Sequence, residues 1–372
     1  KGSFIKPGFL PLTVGPEEPS AKRFAWGSNV TGRLGDGTTT DYSSPIQVGT
    51  DTWTHLESMY NAGGGVKEAG TLWMWGNGGS GRLGLGNTTS YSSPVQVGAL
   101  TNWLNVSCGY STYAVKTDGT LWAWGYNLNG QLGQGNTTSY SSPVQVGALT
   151  NWLSTASSYQ FALAIKTDGT LWAMGKNDRG QLGDGTVTQR NSPVQIGSFT
   201  DWLSISTGQS TSFGVRSNGT MYSWGFSSTS QFAPNLGQSR SGAPNSSAPT
   251  QIGALTTWLA VSAGTYNILA VKTDGTLWRW GYTFSAGNSP VQVGSATTWT
   301  NKISAGQGSA TSDSMSSGIQ SDGTLWTWGF NNKGQLGLGN ITYKSSPTQV
   351  GTLTTWTSVS AEKGAVQALG IA

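Results

Sequence analysis

The sequence predicts an all-β chain: a seven-bladed β-propeller of four-stranded blades, closed by a blade shared between the N- and C-termini. Three observations predict it. A Trp-Gly step, once Met-Gly, returns at Trp26-Gly27, Trp75-Gly76, Trp124-Gly125, Met174-Gly175, Trp224-Gly225, Trp280-Gly281 and Trp328-Gly329, at intervals of 49, 49, 50, 50, 56 and 48 residues. Such a period is one supersecondary unit repeated. Within each unit lie short runs rich in Val, Leu, Trp, Tyr and Thr, and no window holds helical periodicity through three turns. At the end of the chain only 16 residues follow Trp356, whereas the Leu-Trp-x-Trp strand missing there is met at the other end as Lys22-Arg23-Phe24-Ala25-Trp26. An open solenoid would need polar capping repeats instead.

The elements follow in order in the third unit. Trp103-Leu-Asn-Val-Ser predicts the first strand and Tyr113-Ala-Val-Lys-Thr the second. Thr120-Leu121-Trp122-Ala123-Trp124 is a nearly continuous apolar run, expected of a strand covered on both faces. Between the second and third, Asp118-Gly119 fits a two-residue hairpin, because Gly accepts the positive φ of a primed turn. Asp168-Gly169, Asn218-Gly219, Asp274-Gly275 and Asp322-Gly323 repeat it. A long connection leads to Pro143-Val-Gln-Val-Gly147, the fourth strand.

All 18 Trp residues fall in three columns of this repeat, which reads them as wedge fillers between blades. Charged residues are 10% of the chain against a usual ~25%, and the net charge is +4. Lys67, Lys116, Lys166, Arg216 and Lys272 share one column, expected to keep exposed strand positions soluble. They form no clustered stripe, so no specific nucleic acid is expected. Nor is a membrane span, since no segment is long and apolar enough. The lone Cys108 reads as a small core filler.

The string Trp124-Gly-Tyr-Asn-Leu-Asn-Gly-Gln-Leu-Gly133 returns as Met174-Gly-Lys-Asn-Asp-Arg-Gly-Gln-Leu-Gly183 and Trp328-Gly-Phe-Asn-Asn-Lys-Gly-Gln-Leu-Gly337, and in part as Gly32-Arg-Leu-Gly35 and Gly81-Arg-Leu-Gly84. It resembles the signature of the regulator of chromosome condensation repeat family, over about residues 22–372. The resemblance implies a seven-bladed propeller with a shared terminal blade. It also implies, for nuclear members, nucleotide exchange on a small GTPase and binding to chromatin. Those members carry a His shortly before the strand that precedes the Asp-Gly turn. Here the region reads Gly109-Tyr-Ser-Thr-Tyr113 or Gly208-Gln-Ser-Thr-Ser212, and the single His is His55. The near-identical units look more like bacterial and bacteriophage members, mostly secreted, surface or virion proteins. A secreted bacterial inhibitor of β-lactamases, similar in architecture, works by binding alone.

Chemistry is scarce. Asp118, Asp168, Asp274 and Asp322 are accounted for by turns, and one His with one Cys makes neither a triad nor a metal cluster. No enzyme, cofactor or metal is expected. A ligand without the ring's symmetry must read its exceptions, and these are the candidate binding residues. The Pro-rich N-terminal arm, residues 1–21, offers Phe4, Ile5, Phe9, Leu10 and Leu12; the propeller is expected over 22–372. The lengthened segment 226–249 offers Phe232 and Arg240, the shortened next loop Tyr282 and Phe284, and the lengthened 307–317 Asp313 and Met315. The leading expectation is a non-enzymatic structural protein, a virion or surface component located outside the cell or on a virion. Its arm would attach it to protein partners in a larger assembly, with a host-surface glycan or protein on its loops. The alternative is a soluble lectin-like or protein-inhibitor binding module, and the third reading an exchange factor.

Overall fold

The computed structural model describes residues 21–59, 61–227, 245–265, 267–281, 289–306, 314–362 and 365–370. Its regular structure there is β-strand, apart from one short 3-10 turn at Gly79–Gly81. The third unit shows the plan. An inner strand Trp103–Ser107 is followed outward by Ser111–Lys116, Leu121–Gly125 and Tyr140–Gln145, each antiparallel to the one before. All six residues of Ser111–Lys116 are buried, because neighbouring sheets cover both faces. The outer strand is half-exposed and contains Pro143, whose missing N–H suits a sheet edge.

The hairpin between second and third strands is not the expected two-residue primed turn. Gly119 N–H donates to the Lys116 carbonyl at 2.9 Å and Lys116 N–H to the Thr120 carbonyl at 3.0 Å, so three residues make the connection. Gly119 has φ +76°, while Ser80 is the only non-glycine with positive φ among the described residues. This is a type I turn completed by a left-handed Gly. Asp118 earns its place otherwise: its Oδ1 accepts the Thr120 N–H at 2.9 Å and Oγ1–H at 2.6 Å. Thr120 Oγ1 in turn accepts the Trp122 indole N–H at 2.9 Å. These bonds hold the Asp118 carboxyl below the usual carboxylate range.

The Lys column also differs from expectation. Lys116, Lys166 and Lys272 are 5–8% exposed, each ammonium lying 3.5–3.8 Å from the ring centroid of Trp122, Trp172 or Trp278. They are cation–π caps on the half-buried Trp column, and strand alternation alone could not show that the adjacent ring covers them.

The expected seven separate blades are corrected to six sheets. Five are four-stranded, and the sixth joins seven strands. The cause is local. Each other unit places six residues between its outer-strand Gln and the next inner-strand Trp, as in 146–151, but the first unit has only Val48–Thr52. That shortened link stays extended, with Thr52 opposite Lys22, Trp53 opposite Ala21 and the Lys22 ammonium on the Thr50 carbonyl at 2.7 Å. One continuous strand, Tyr42–Met59, therefore serves both as an outer strand and as the next inner strand. In the same sheet Ala21–Gly27 pairs antiparallel with Ala365–Gly370, Lys22 opposite Gly370 and Gly27 opposite Ala365.

Around the axis the inner strands follow in sequence: the second half of Tyr42–Met59, then Trp103–Ser107, Trp152–Ser157, Trp202–Thr207, Trp258–Ala263, Trp299–Ala305 and Trp356–Glu362, which packs back on Tyr42–Met59. The Trp-Gly column is essentially buried, at 0–2% exposure, and the inner-strand Trp column packs beside it in edge-to-face pairs such as Trp103 and Trp124.

Candidate functional site

The repeated signature is used up in joining units. Asn127 is fully buried, its Oδ1 accepting the Leu132 N–H at 2.9 Å and its Nδ2 donating to the Thr138 carbonyl at 2.8 Å. Gly84, with φ +71°, sits on the next unit's Trp124, so that a Cβ there would lie 2.7 Å from the indole. Trp124 Nε1–H donates to the Arg82 carbonyl at 2.9 Å, and Thr112 Oγ1–H donates to the same carbonyl. Function must then lie where the ring departs from its own rule.

The axis holds one such departure. The fourth residue after each inner-strand Trp is Glu57, Ser107, Ala156, Ser206, Ser262 and Ser360, with Ser304 equivalent after one extra residue. The serines stitch neighbouring strands: the hydroxyl oxygens of Ser107, Ser206, Ser262, Ser304 and Ser360 accept N–H bonds from Ser157, Ala263, Ala305, Ala361 and Ser58 at 2.9–3.1 Å. Glu57 stands where this pattern breaks, half-buried on an axial cavity of about 260 Å³ lined by serine hydroxyls, His55 and Thr155. Among the described residues no Lys or Arg pairs with it. Burial pushes its carboxyl up to about 8, partly offset by a hydrogen bond from Ser360. His55 Nε2–H donates to the Val106 carbonyl at 2.8 Å, and burial lowers its pKa, which keeps the ring neutral. Cys108 is buried in the core and its thiol is pushed up by burial and by Glu57.

The second departure is at the rim that carries the loops after Trp-Gly. There Tyr110 lies against Tyr159 with ring centroids 4.0 Å apart and edge-on to Tyr126 at 6.5 Å. The Arg82 guanidinium lies 4.3 Å over Tyr110, and the Arg179 guanidinium 5.1 Å over Phe226. All four aromatic residues are half-buried, Arg179 is 50% exposed, and Leu128, two residues beyond Tyr126, is 63% exposed. By sequence the Tyr126 position is aromatic again at Phe226, Tyr282 and Phe330 but Ser28, Asn77 or Lys176 elsewhere, and Gln209 stands at the Tyr159 position, so the aromatic rim is uneven around the ring. At the opposite rim the exposed Leu100, Leu149 and Leu255 recur with the repeat.

Of the sequence-derived candidates, Phe4, Ile5, Phe9, Leu10, Leu12, Phe232, Arg240, Tyr282, Phe284 and Asp313 lie outside the described residues. Met315 is described, and it is 2% exposed in a core cluster with Trp26, Leu325 and Trp356. Sequence reasoning missed Glu57 and the Tyr110–Tyr159 pair. Glu57 was marked by breaking its repeat column, whereas Tyr110 and Tyr159 share one that Gln209 breaks in the next unit. Among the described residues no group of three His, Cys, Asp or Glu is placed to hold a metal ion, and no helix is long and apolar enough to cross a membrane.

The sequence matches the model of the regulator of chromosome condensation (RCC1) repeat over residues 69–115, 118–165, 168–215 and 322–361, and a second model of that repeat over 104–131 and 153–181. No curated protein matches it. Among solved structures it is similar to human WBSCR16, at 16% identity over 95% of this chain and 99% of that chain, TM-score 0.82. It is also similar to Prp20p of Saccharomyces cerevisiae, described with its binding to Gsp1p and histones, at 17% identity over 95% and 92%, TM-score 0.79. A third, yeast RCC1 (Prp20) bound to Kap60, gives 17% over 95% and 89%, TM-score 0.78. At such identities the likeness carries the fold alone. The expectation of a virion or surface component, outside the cell or on a virion, is corrected by these neighbours: they are human and yeast proteins, and Prp20p is described with Gsp1p, histones and Kap60.

Proposed function

The chain belongs to the RCC1-repeat family, and on that premise we propose that it is a non-enzymatic binding module whose partner is a protein, engaged at the loop rim around Tyr110, Tyr159 and Phe226. The observation that carries this is the rim cluster of half-buried Tyr110, Tyr126 and Tyr159 with the Arg82 guanidinium over Tyr110, and Arg179 over Phe226 beyond it. Tyr and Arg are enriched in the energetic centres of protein interfaces, because Tyr brings large contact area with few rotors and Arg a planar fork of donors that also stacks on aromatic rings. The description of Prp20p as a protein binder supports the class of ligand. A photo-crosslinking residue at Tyr159, compared with one at Leu149 on the opposite rim, tests it in extract of the source cell. A discrete protein adduct at position 159 alone, competed away by excess unlabelled protein, is expected. Adducts only at position 149, or at neither, contradict the reading.

The likeness to Prp20p, described as binding Gsp1p, favours one second reading: exchange of nucleotide on a small GTPase. Release of labelled nucleotide from a Gsp1p-type GTPase, accelerated by this protein and lost in Tyr110→Ala/Tyr159→Ala, would support it. Complex formation without release leaves the binding-module reading.

A further inference from the structure

We propose that the axial cavity is a binding site for a small primary ammonium compound, its nitrogen held by the Glu57 carboxylate and by hydroxyls of the serine column. Four observations lead there. The cavity, about 260 Å³, holds roughly nine water volumes, room for a few heavy atoms and too much for a bare ion. Its wall is mostly hydroxyl: Ser107, Ser206, Ser262, Ser304 and Ser360 each give one lone pair to a neighbouring backbone N–H and keep a second for another donor, while Ser107 and Ser304 donate their own O–H to Ser157 Oγ at 3.0 Å and the Ala361 carbonyl at 3.3 Å. Into that neutral ring the chain places one carboxyl, Glu57, where its own repeat prescribes Ser. That carboxyl has no cationic partner among the described residues, and a buried charge is costly unless one is supplied.

The donor set selects the class of cation. An ammonium group offers three N–H donors, matched by one carboxylate and surrounding hydroxyl oxygens. A divalent metal would want several carboxylates or imidazoles, and no such group exists among the described residues. His55 does not compete, since burial keeps it neutral and its Nε2–H is engaged by the Val106 carbonyl. The titratable groups near Glu57 are His55 on its own strand and the Cys108 thiol just past the neighbouring inner strand, which burial keeps protonated. Lys302 acts on His55. Because Glu57 is largely protonated at neutral pH in the empty cavity, binding of the cation displaces its proton to solvent, one for one.

Ethylammonium is the probe, titrated calorimetrically into the whole protein in two buffers of different ionisation enthalpy. One molecule should bind, with release of a proton at pH 7 and an affinity rising about tenfold per pH unit from 6 to 7.5, then levelling above 8. Glu57→Gln and Glu57→Ser, the second restoring the residue of the column, should each weaken binding at least about tenfold while the circular dichroism is unchanged. Tetramethylammonium, which has no N–H, should bind no better than the variants do. Binding unaltered in both variants, absence of wild-type binding at pH 8.5, or equal competition by potassium each overturns the proposal.

Discussion

The indole Nε1–H of Trp26 donates to the main-chain carbonyl of Gln335 at 3.0 Å, across 309 positions of sequence. Trp75 makes the same bond to Arg33, and Trp124 to Arg82, between consecutive units. Gly337, beside Gln335, packs on Trp26 as Gly84 packs on Trp124. The last unit thus holds the first by the contact that joins the first three units to one another, beside the pairing of Ala21–Gly27 with Ala365–Gly370.

Loss of that contact should open the ring. Trp26→Ala should cost about 3–5 kcal/mol in denaturant unfolding, more than Trp122→Ala, whose ring is half-buried at the sheet's outer side. Equal costs for the two would show that closure does not depend on Trp26.

Gly84 offers a test of the signature itself. Its φ of +71° and the 2.7 Å approach of a Cβ to Trp124 predict that Gly84→Ala costs at least ~2 kcal/mol. Gly98→Ala, also left-handed at φ +62° but with nothing within 4 Å, should cost only ~1–2 kcal/mol. The difference between their unfolding midpoints isolates the packing against the indole.

Besides Glu57, the serine column lacks its hydroxyl at Ala156. Ala156→Ser should restore the missing stitch toward Thr207 and raise stability by about 0.5–1.5 kcal/mol, while Ser304→Ala should lose a similar amount. Destabilisation by Ala156→Ser, measured by thermal unfolding, would mean that the axial bonds contribute nothing.

Glu57 makes stability depend on pH in a defined direction. Its folded pKa, about 8, lies above the ordinary 4.5. Its contribution is therefore complete below pH 4.5 and lost as pH rises through 8. His55, with a lowered pKa, acts oppositely, losing stability as pH falls below 6.5, so only the comparison with Glu57→Gln isolates the carboxyl. Relative to Glu57→Gln, the wild type should lose on the order of 1–3 kcal/mol between pH 5 and 8.5. Parallel curves for the two proteins would place Glu57 in water.

The strand plan was legible because Asp118-Gly119-Thr120 and the Trp-Gly step act locally: turn geometry and a buried indole need only neighbours a few residues away. The fused sheet was not. The missing residue in Val48–Thr52 is visible in the letters, but whether that link bends or stays extended depends on pairing with Ala21 and Lys22, a contact supplied by the chain's other elements. Lys116 was misread for a similar reason, since alternation gives the side of the strand and not the ring that covers it. Glu57 escaped notice because its column acquires meaning only once the inner strands face one another around an axis. Tyr110 and Tyr159 sit 49 residues apart in equivalent positions, where repetition disguises a contact as mere periodicity.

Binding at the loop rim around Tyr110 and Tyr159 is tested most directly by Tyr110→Ala/Tyr159→Ala, measured for affinity toward the protein captured at position 159. Affinity should fall at least about tenfold, about 1.4 kcal/mol or more, at an unfolding midpoint close to wild type, with Leu149→Ala unaffected. Unchanged affinity in the double variant, or loss in Leu149→Ala instead, would contradict it.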